Sequence, residues 1–121
     1  MFTARIEDDF AAAHFLAHYH GKCERLHGHN YKVFVTASGT TLDDGGMLVD
    51  FIAMKAALKA VLGEVDHTNL NDHPAFADGR PSAERIAQFI HQKMQAALPQ
   101  ARISLVEVFE TDRNRATYSP D

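Results

Sequence analysis

The sequence predicts an α+β domain: a four-stranded antiparallel sheet carrying two helices on one face, in the order ββααββ. Three observations lead there. Both ends of the chain alternate apolar and polar residues with the period of a strand, the middle holds two apolar stripes with the period of a helix, and each stripe opens on a capping residue. At 121 residues the chain is one domain, 1–121, long enough to bury a core without a metal or a disulfide.

The first strand follows from Phe2, Ala4, Ile6, Asp8, Phe10, Ala12 and His14, which share one side of an extended chain and place His14 at its end. The second follows from His27, His29, Tyr31, Val33, Val35 and Ala37, alternating with Gly28, Asn30, Lys32, Phe34, Thr36 and Ser38. GTTLDDGG is a turn. Asp50 caps a helix whose stripe is Phe51, Met54, Leu58, Val61 and Leu62, stopped at Gly63; Ser82 caps a second one with Ile86, Phe89, Ile90, Met94 and Leu98, ended by Pro99. The last pair of strands spans Ile103 to Glu110 and Asn114 to Tyr118, around a tight turn at Thr111-Asp112-Arg113. Two exposed edges of such a sheet invite further pairing, so a homo-oligomer is expected.

Composition excludes several classes of function. Apolar residues make up 45% and charged residues 23%, and the net charge of -4 offers no basic footprint for nucleic acid and no attraction to anionic lipid. No stretch approaches the roughly 18 apolar residues of a membrane span, and the first ten residues lack the apolar core of a signal peptide. The chain is therefore expected in the cytoplasm, where one cysteine stays a free thiol.

The chemistry concentrates in CERLHGHN and its surroundings. His27 and His29, two apart on a strand, present their imidazoles to the same side, and His14 ends a neighbouring strand on a compatible face. Three neutral imidazoles with one open position form a catalytic type of metal site. Cys23, between Lys22 and Arg25 and close to such a dication, would be held as thiolate and serve as a base or acid; a fourth ligand and an inert thiol are its other readings. Asp66 can orient His67 for proton transfer if a turn folds the adjacent pair together, although an Asx turn beside a surface histidine fits the same letters. Glu110 would project a carboxylate from an apolar strand face, where it can accept two parallel hydrogen bonds from a planar N–H pair. His91 is expected on the surface, and His18 and His20 in a loop, as spare ligands.

Together AAAH, CERLHGHNY, MLVDF, DHTNLND, PSAE and VFET resemble the 6-pyruvoyltetrahydropterin synthase family, in its order and spacing from about Phe10 to Tyr118. The three residues between Cys23 and HGH resemble its bacterial branch, which contains the 6-carboxytetrahydropterin synthases of queuosine biosynthesis. The resemblance implies the tunnelling fold, with sheets joined edge to edge into a barrel, usually a hexamer built as a dimer of trimers. It implies Zn2+ on His14, His27 and His29, proton transfer by Cys23 and by Asp66 with His67, and a pterin anchored by Glu110. The implied substrate is 7,8-dihydroneopterin triphosphate, converted to 6-carboxy-5,6,7,8-tetrahydropterin, acetaldehyde and triphosphate. Glu24, directly after the thiol, resembles a subgroup that also makes 6-hydroxymethyl-7,8-dihydropterin with a glutamate as base; an ordinary charged loop residue is the other reading. Phe15 and Ser82 depart from the arginine and threonine common in the family. The alternatives are 6-pyruvoyltetrahydropterin synthesis, a non-catalytic zinc-binding protein closed by Cys23, and a zinc hydrolase using His67.

Overall fold

The computed structural model describes residues 1–17 and 20–121, and of Cys23 the backbone alone. The strand periods are realised as β1 (Phe2–His14) and β2 (His27–Gly39), which pair antiparallel along their whole length, from Phe2 opposite Gly39 to His14 opposite His27. Helix α1 (Phe51–Gly63) opens with the Asp50 carboxylate accepting from the Ile52 N–H at 2.9 Å. Helix α2 (Ala83–Ala97) opens with the Ser82 hydroxyl accepting from the Arg85 N–H at 3.2 Å. Each cap satisfies one of the amides that a helix start leaves free.

The sheet has five strands rather than four, in the order β3-β1-β2-β4-β5. The addition is β3 (Thr68–Asn69), which runs parallel to β1 opposite Ala12 and Ala13; β4 (Arg102–Phe109) and β5 (Arg115–Tyr118) complete the antiparallel part. Two residues carry no periodicity, so this strand leaves no pattern in the sequence. Both helices lie on one face, α1 against β1 and α2 against β4 and β5, and they touch each other. Between helices and sheet lie Ile6, Phe10, Val33, Val35, Val106 and Val108 with Met54, Leu58, Ile86, Ile90 and Met94. Each such buried aliphatic side chain contributes about 1.5–3 kcal/mol over its exposed state.

Three expectations need correction. Phe51 is 49% exposed, at the first turn of the helix, while Met54, Leu58, Val61 and Leu62 of the same stripe are buried. His91 is buried, not on the surface. A bulge between Thr36 and Ala37 of β2 and their β4 partners makes Thr36 pair with Leu105 and Ala37 with Ile103, and α2 answers it with side chains. His91 Nε2 donates to the Ile103 carbonyl at 2.7 Å, and Gln95 Oε1 accepts from the Ile103 N–H at 3.0 Å. Lastly, β4 ends at Phe109, so Glu110 begins the turn, with its N–H donating to the Asn114 carbonyl at 3.0 Å. Among the described residues no helix is long and apolar enough to cross a membrane.

Candidate metal centre and its surroundings

The alternation that buries Phe10 and Tyr31 carries on to the sheet's end and brings three histidines together. His14 faces His27 across the β1–β2 ladder, and His29 stands opposite Ala12, one step inward on the same side. Their rings lie 4.5 to 5.2 Å apart, all edge to face, and one ring nitrogen from each falls within 4.8 Å of the others.

The tautomers are set by backbone carbonyls. His14 Nδ1 donates to the Pro81 carbonyl and His27 Nδ1 to the Arg25 carbonyl, both at 2.7 Å. Each Nε2 is then a lone pair, yet the two Nε2 atoms face each other at 3.0 Å. His29 Nε2 is buried without a hydrogen-bond partner. Three ring nitrogens within 4.8 Å of one another, with the opposite nitrogens of His14 and His27 fixed by carbonyls, are the kind of donor set that a divalent metal takes. Burial lowers the pKa of His14 and of His29, so both favour the neutral form that a metal requires. Three histidines can therefore hold a metal ion, and the donor set fits zinc with one position left over.

A pedestal under the trio was not anticipated. Tyr31 is fully buried, stacked on Phe10 at 4.8 Å, and its ring meets His14 at 5.9 Å and His29 at 5.4 Å. Its hydroxyl lies 3.2 Å from His14 Nδ1, and burial pushes its pKa well upward, so it stays a phenol. The Pro81 carbonyl is held by the loop before α2, where Gly79 has φ of 77° and a Cβ there would come within 3.0 Å of the Ala17 side chain. Both the conformation and the close approach favour glycine at that position. Contacts through carbonyls leave no mark on residue identity, which is why this support is invisible in the sequence.

Asp66 and His67 do fold together. His67 takes a left-handed conformation, φ 58°, and its Nδ1 lies 3.0 Å from the Asp66 carboxylate. The same carboxylate accepts from the Ala11 N–H at 2.9 Å, and that bond, then the His67 contact, lowers its pKa. From there the chain is zipped along the end of β1. The His67 N–H donates to the Ala11 carbonyl, β3 pairs with Ala12 and Ala13, and the Asn71 amide both accepts from the Phe15 N–H at 2.9 Å and donates to its carbonyl at 3.0 Å. The segment bearing Asp66 and His67 is thereby registered to the strand that ends in His14. The His67 ring itself is 81% exposed and makes no ring contact with the trio. Together with His29 and Gly28 it lines an open surface cleft. A Cβ on Gly28 would meet only the Ala12 carbonyl at 3.7 Å, an ordinary contact, so the strand does not itself demand glycine.

Glu110 comes to the trio from β4. One carboxylate oxygen lies 3.6 Å from His29 Nε2 and the other 3.8 Å from His14 Nε2, and the side chain is partly exposed. Glu110 also lines a cavity of about 250 Å³, together with Leu16, Ser82, Ala83, Asn114 and Arg115 among others. Glu24, in the single turn of 3-10 helix Lys22–Glu24, has its carboxylate 3.7 Å from His20 with both side chains well exposed. The side chain of Cys23, and His18, lie outside the described residues. Of the cations available for phosphate, Arg115 is engaged with the buried Glu107, which also accepts from Arg5.

The comparisons agree with this geometry. A sequence profile of the family described as 6-pyruvoyl tetrahydropterin synthase matches residues 3–121. The chain is 41% identical to the 6-carboxy-5,6,7,8-tetrahydropterin synthase of Bacillus subtilis (strain 168), over 91% of this chain and 80% of that one. It is 38% identical to the 6-pyruvoyl tetrahydrobiopterin synthase of Homo sapiens, over 81% and 70%. The solved structure of Caenorhabditis elegans 6-pyruvoyl tetrahydropterin synthase superposes with a TM-score of 0.88 at 29% identity, covering 99% of this chain and 96% of that one. The α+β architecture is thus the fold of that family, and this chain belongs to the 6-pyruvoyl tetrahydropterin synthase family, a family of enzymes.

Proposed function

We propose that the protein is a zinc-dependent 6-carboxy-5,6,7,8-tetrahydropterin synthase acting on 7,8-dihydroneopterin triphosphate. The observation that carries the proposal is the set of three imidazole nitrogens within 4.8 Å of one another, beside a carboxylate, Glu110, that also lines a cavity. His14, His27 and His29 would hold the zinc, which as a Lewis acid makes the hydroxyls and neighbouring C–H bonds of the substrate side chain more acidic. Glu110 accepts the amino-pyrimidinone edge of the pterin, in the cavity at the start of α2. Cys23 moves a proton as thiolate, and the Asp66 carboxylate orients His67 as the second acid or base. The relatives from Bacillus subtilis and from Synechocystis, 39% identical, favour the carboxy product. Glu24 is assigned the base of a side reaction to 6-hydroxymethyl-7,8-dihydropterin. The part of β1 that the short β3 leaves unpaired and the edge strand β5 would join copies into a hexamer, a dimer of trimers, which would give the exposed His67 a neighbouring site to reach.

Metal removal tests this reading. Protein stripped by a chelator should lose turnover of dihydroneopterin triphosphate by a factor of about a hundred or more and regain it with one equivalent of zinc per chain. Undiminished turnover in stripped protein, with metal content checked by elemental analysis, would overturn it.

A further inference from the structure

Two single turns of 3-10 helix follow β3, Leu70–Asp72 and Pro74–Phe76, and the residue before each caps it. Asn69 Oδ1 accepts from the Asn71 N–H at 3.1 Å, and His73 Nδ1 accepts from the Ala75 N–H at 3.0 Å. Asparagine makes such a cap with a short side chain, so the imidazole at position 73 is more than the cap needs. A ring nitrogen that accepts carries no proton, which puts the proton of His73 on Nε2. That nitrogen lies 3.2 Å from Glu64 Oε1, at the C-terminal cap of α1, and the ring stands edge to face on Phe89 of α2 at 5.1 Å. Lys93 of α2 meets the other Glu64 oxygen at 3.6 Å. Glu64 and His73 are nine positions apart, and the chain between them carries Asp66 and His67.

We propose that the His73–Glu64 hydrogen bond is a clasp that positions Asp66 and His67, closing the base of their loop and tying it to the helix layer. The proposal rests on the reading of that pair as acid and base, and deepens it by adding a positioning residue to the same site. On one side the loop is attached to β1, through the bonds of Asp66 and His67 to Ala11 and through β3 to Ala12 and Ala13. Attachments along one line leave freedom to rotate about that line. Val65 and Leu70 bury the ends of the loop, but apolar burial is non-directional. The clasp lies away from β1, on the side of α1 and α2, and supplies the missing direction. Direction matters here because the His67 ring is 81% exposed and is aimed by a left-handed backbone, φ 58°, and its contact with Asp66. A shift of about 1 Å in a reacting group can cost about a hundredfold in rate, so slight loosening of the loop reaches turnover. His73 acts through Asp66 and His67, as a positioning residue.

The test separates the clasp from the cap. His73→Asn keeps a capping oxygen, as Asn69 does one turn earlier, and is too short to reach Glu64; Glu64→Ala removes the acceptor; Glu64→Gln keeps an acceptor and loses the charge that Lys93 meets. Native-state hydrogen exchange is followed by NMR on the zinc-loaded full chain, at the His67 N–H, which donates to the Ala11 carbonyl, and at the Ala11 N–H, which donates to Asp66. Both amides should exchange at least about tenfold faster in His73→Asn and Glu64→Ala, as expected for loss of a hydrogen bond to a charged group, and within about threefold of wild type in Glu64→Gln. The amide of Val35, on a strand paired on both sides, should not change. In the first two variants kcat for the carboxy pterin should fall at least about threefold while KM and zinc affinity stay as in wild type. Unchanged exchange in both His73→Asn and Glu64→Ala, equally fast exchange in Glu64→Gln and Glu64→Ala, or faster exchange with an undiminished kcat overturns the proposal. Wild type that leaves dihydroneopterin triphosphate unconverted would instead count against the pterin reading, and the exchange rates would still decide whether the clasp holds Asp66 and His67.

Discussion

Cys23→Ala is expected to remain folded and zinc-loaded and to lose formation of 6-carboxytetrahydropterin by about 10²- to 10⁴-fold, the usual contribution of a positioned acid or base. In the proposed mechanism three imidazoles hold the metal, so Cys23 would be left for proton transfer. Product chromatography gives the comparison a second dimension. Glu24 follows the thiol directly, and its carboxylate is placed within 3.7 Å of His20 by the bend of that turn. Cys23→Ala should therefore keep a small yield of 6-hydroxymethyl-7,8-dihydropterin, whereas Glu24→Ala should lose it and keep the carboxy product. Unchanged carboxy turnover in Cys23→Ala would remove the thiol from the mechanism, and an undiminished hydroxymethyl yield in Glu24→Ala would make that glutamate a bystander.

His29→Ala should release the metal. If the roughly 10–16 kcal/mol of a four-ligand structural zinc site is shared among its ligands, one imidazole is worth about 3 kcal/mol, or roughly two powers of ten in affinity. The fold should persist, because His29 lies at the end of the sheet and the buried layer from Ile6 to Val108 does not depend on it. Loss of the ring also removes an edge contact on Tyr31, a small cost beside that core. Elemental analysis of the purified variant checks the result: full zinc occupancy would exclude His29 as a ligand, and an unfolded chain would contradict the claim that the core stands without metal.

How much of this was readable without coordinates differs from element to element. Strands with one buried face repeat every second residue, so β1 and β2 were legible to their ends, and their parity placed His14, His27 and His29 on one side. The caps Asp50 and Ser82 act through their own side chains and were legible for the same reason. Structure made by main-chain groups was not. The strand β3, the bulge opposite Ile103 and the carbonyls of Pro81 and Arg25 that orient two histidines depend on backbone positions that many side chains would allow. His91 was misplaced because its partner is such a group, the Ile103 carbonyl. Asn71 stood in plain view within DHTNLND, but its pairing with Phe15 requires a contact across 56 positions that no local rule predicts.

In the proposed function this site converts 7,8-dihydroneopterin triphosphate into a carboxylated pterin. Incubating zinc-loaded protein with that compound and identifying the pterin product by chromatography and mass spectrometry tests it directly. The expected main product is 6-carboxy-5,6,7,8-tetrahydropterin, released with acetaldehyde and triphosphate; recovery of unchanged substrate, or 6-pyruvoyltetrahydropterin as the main product, would contradict the proposed function.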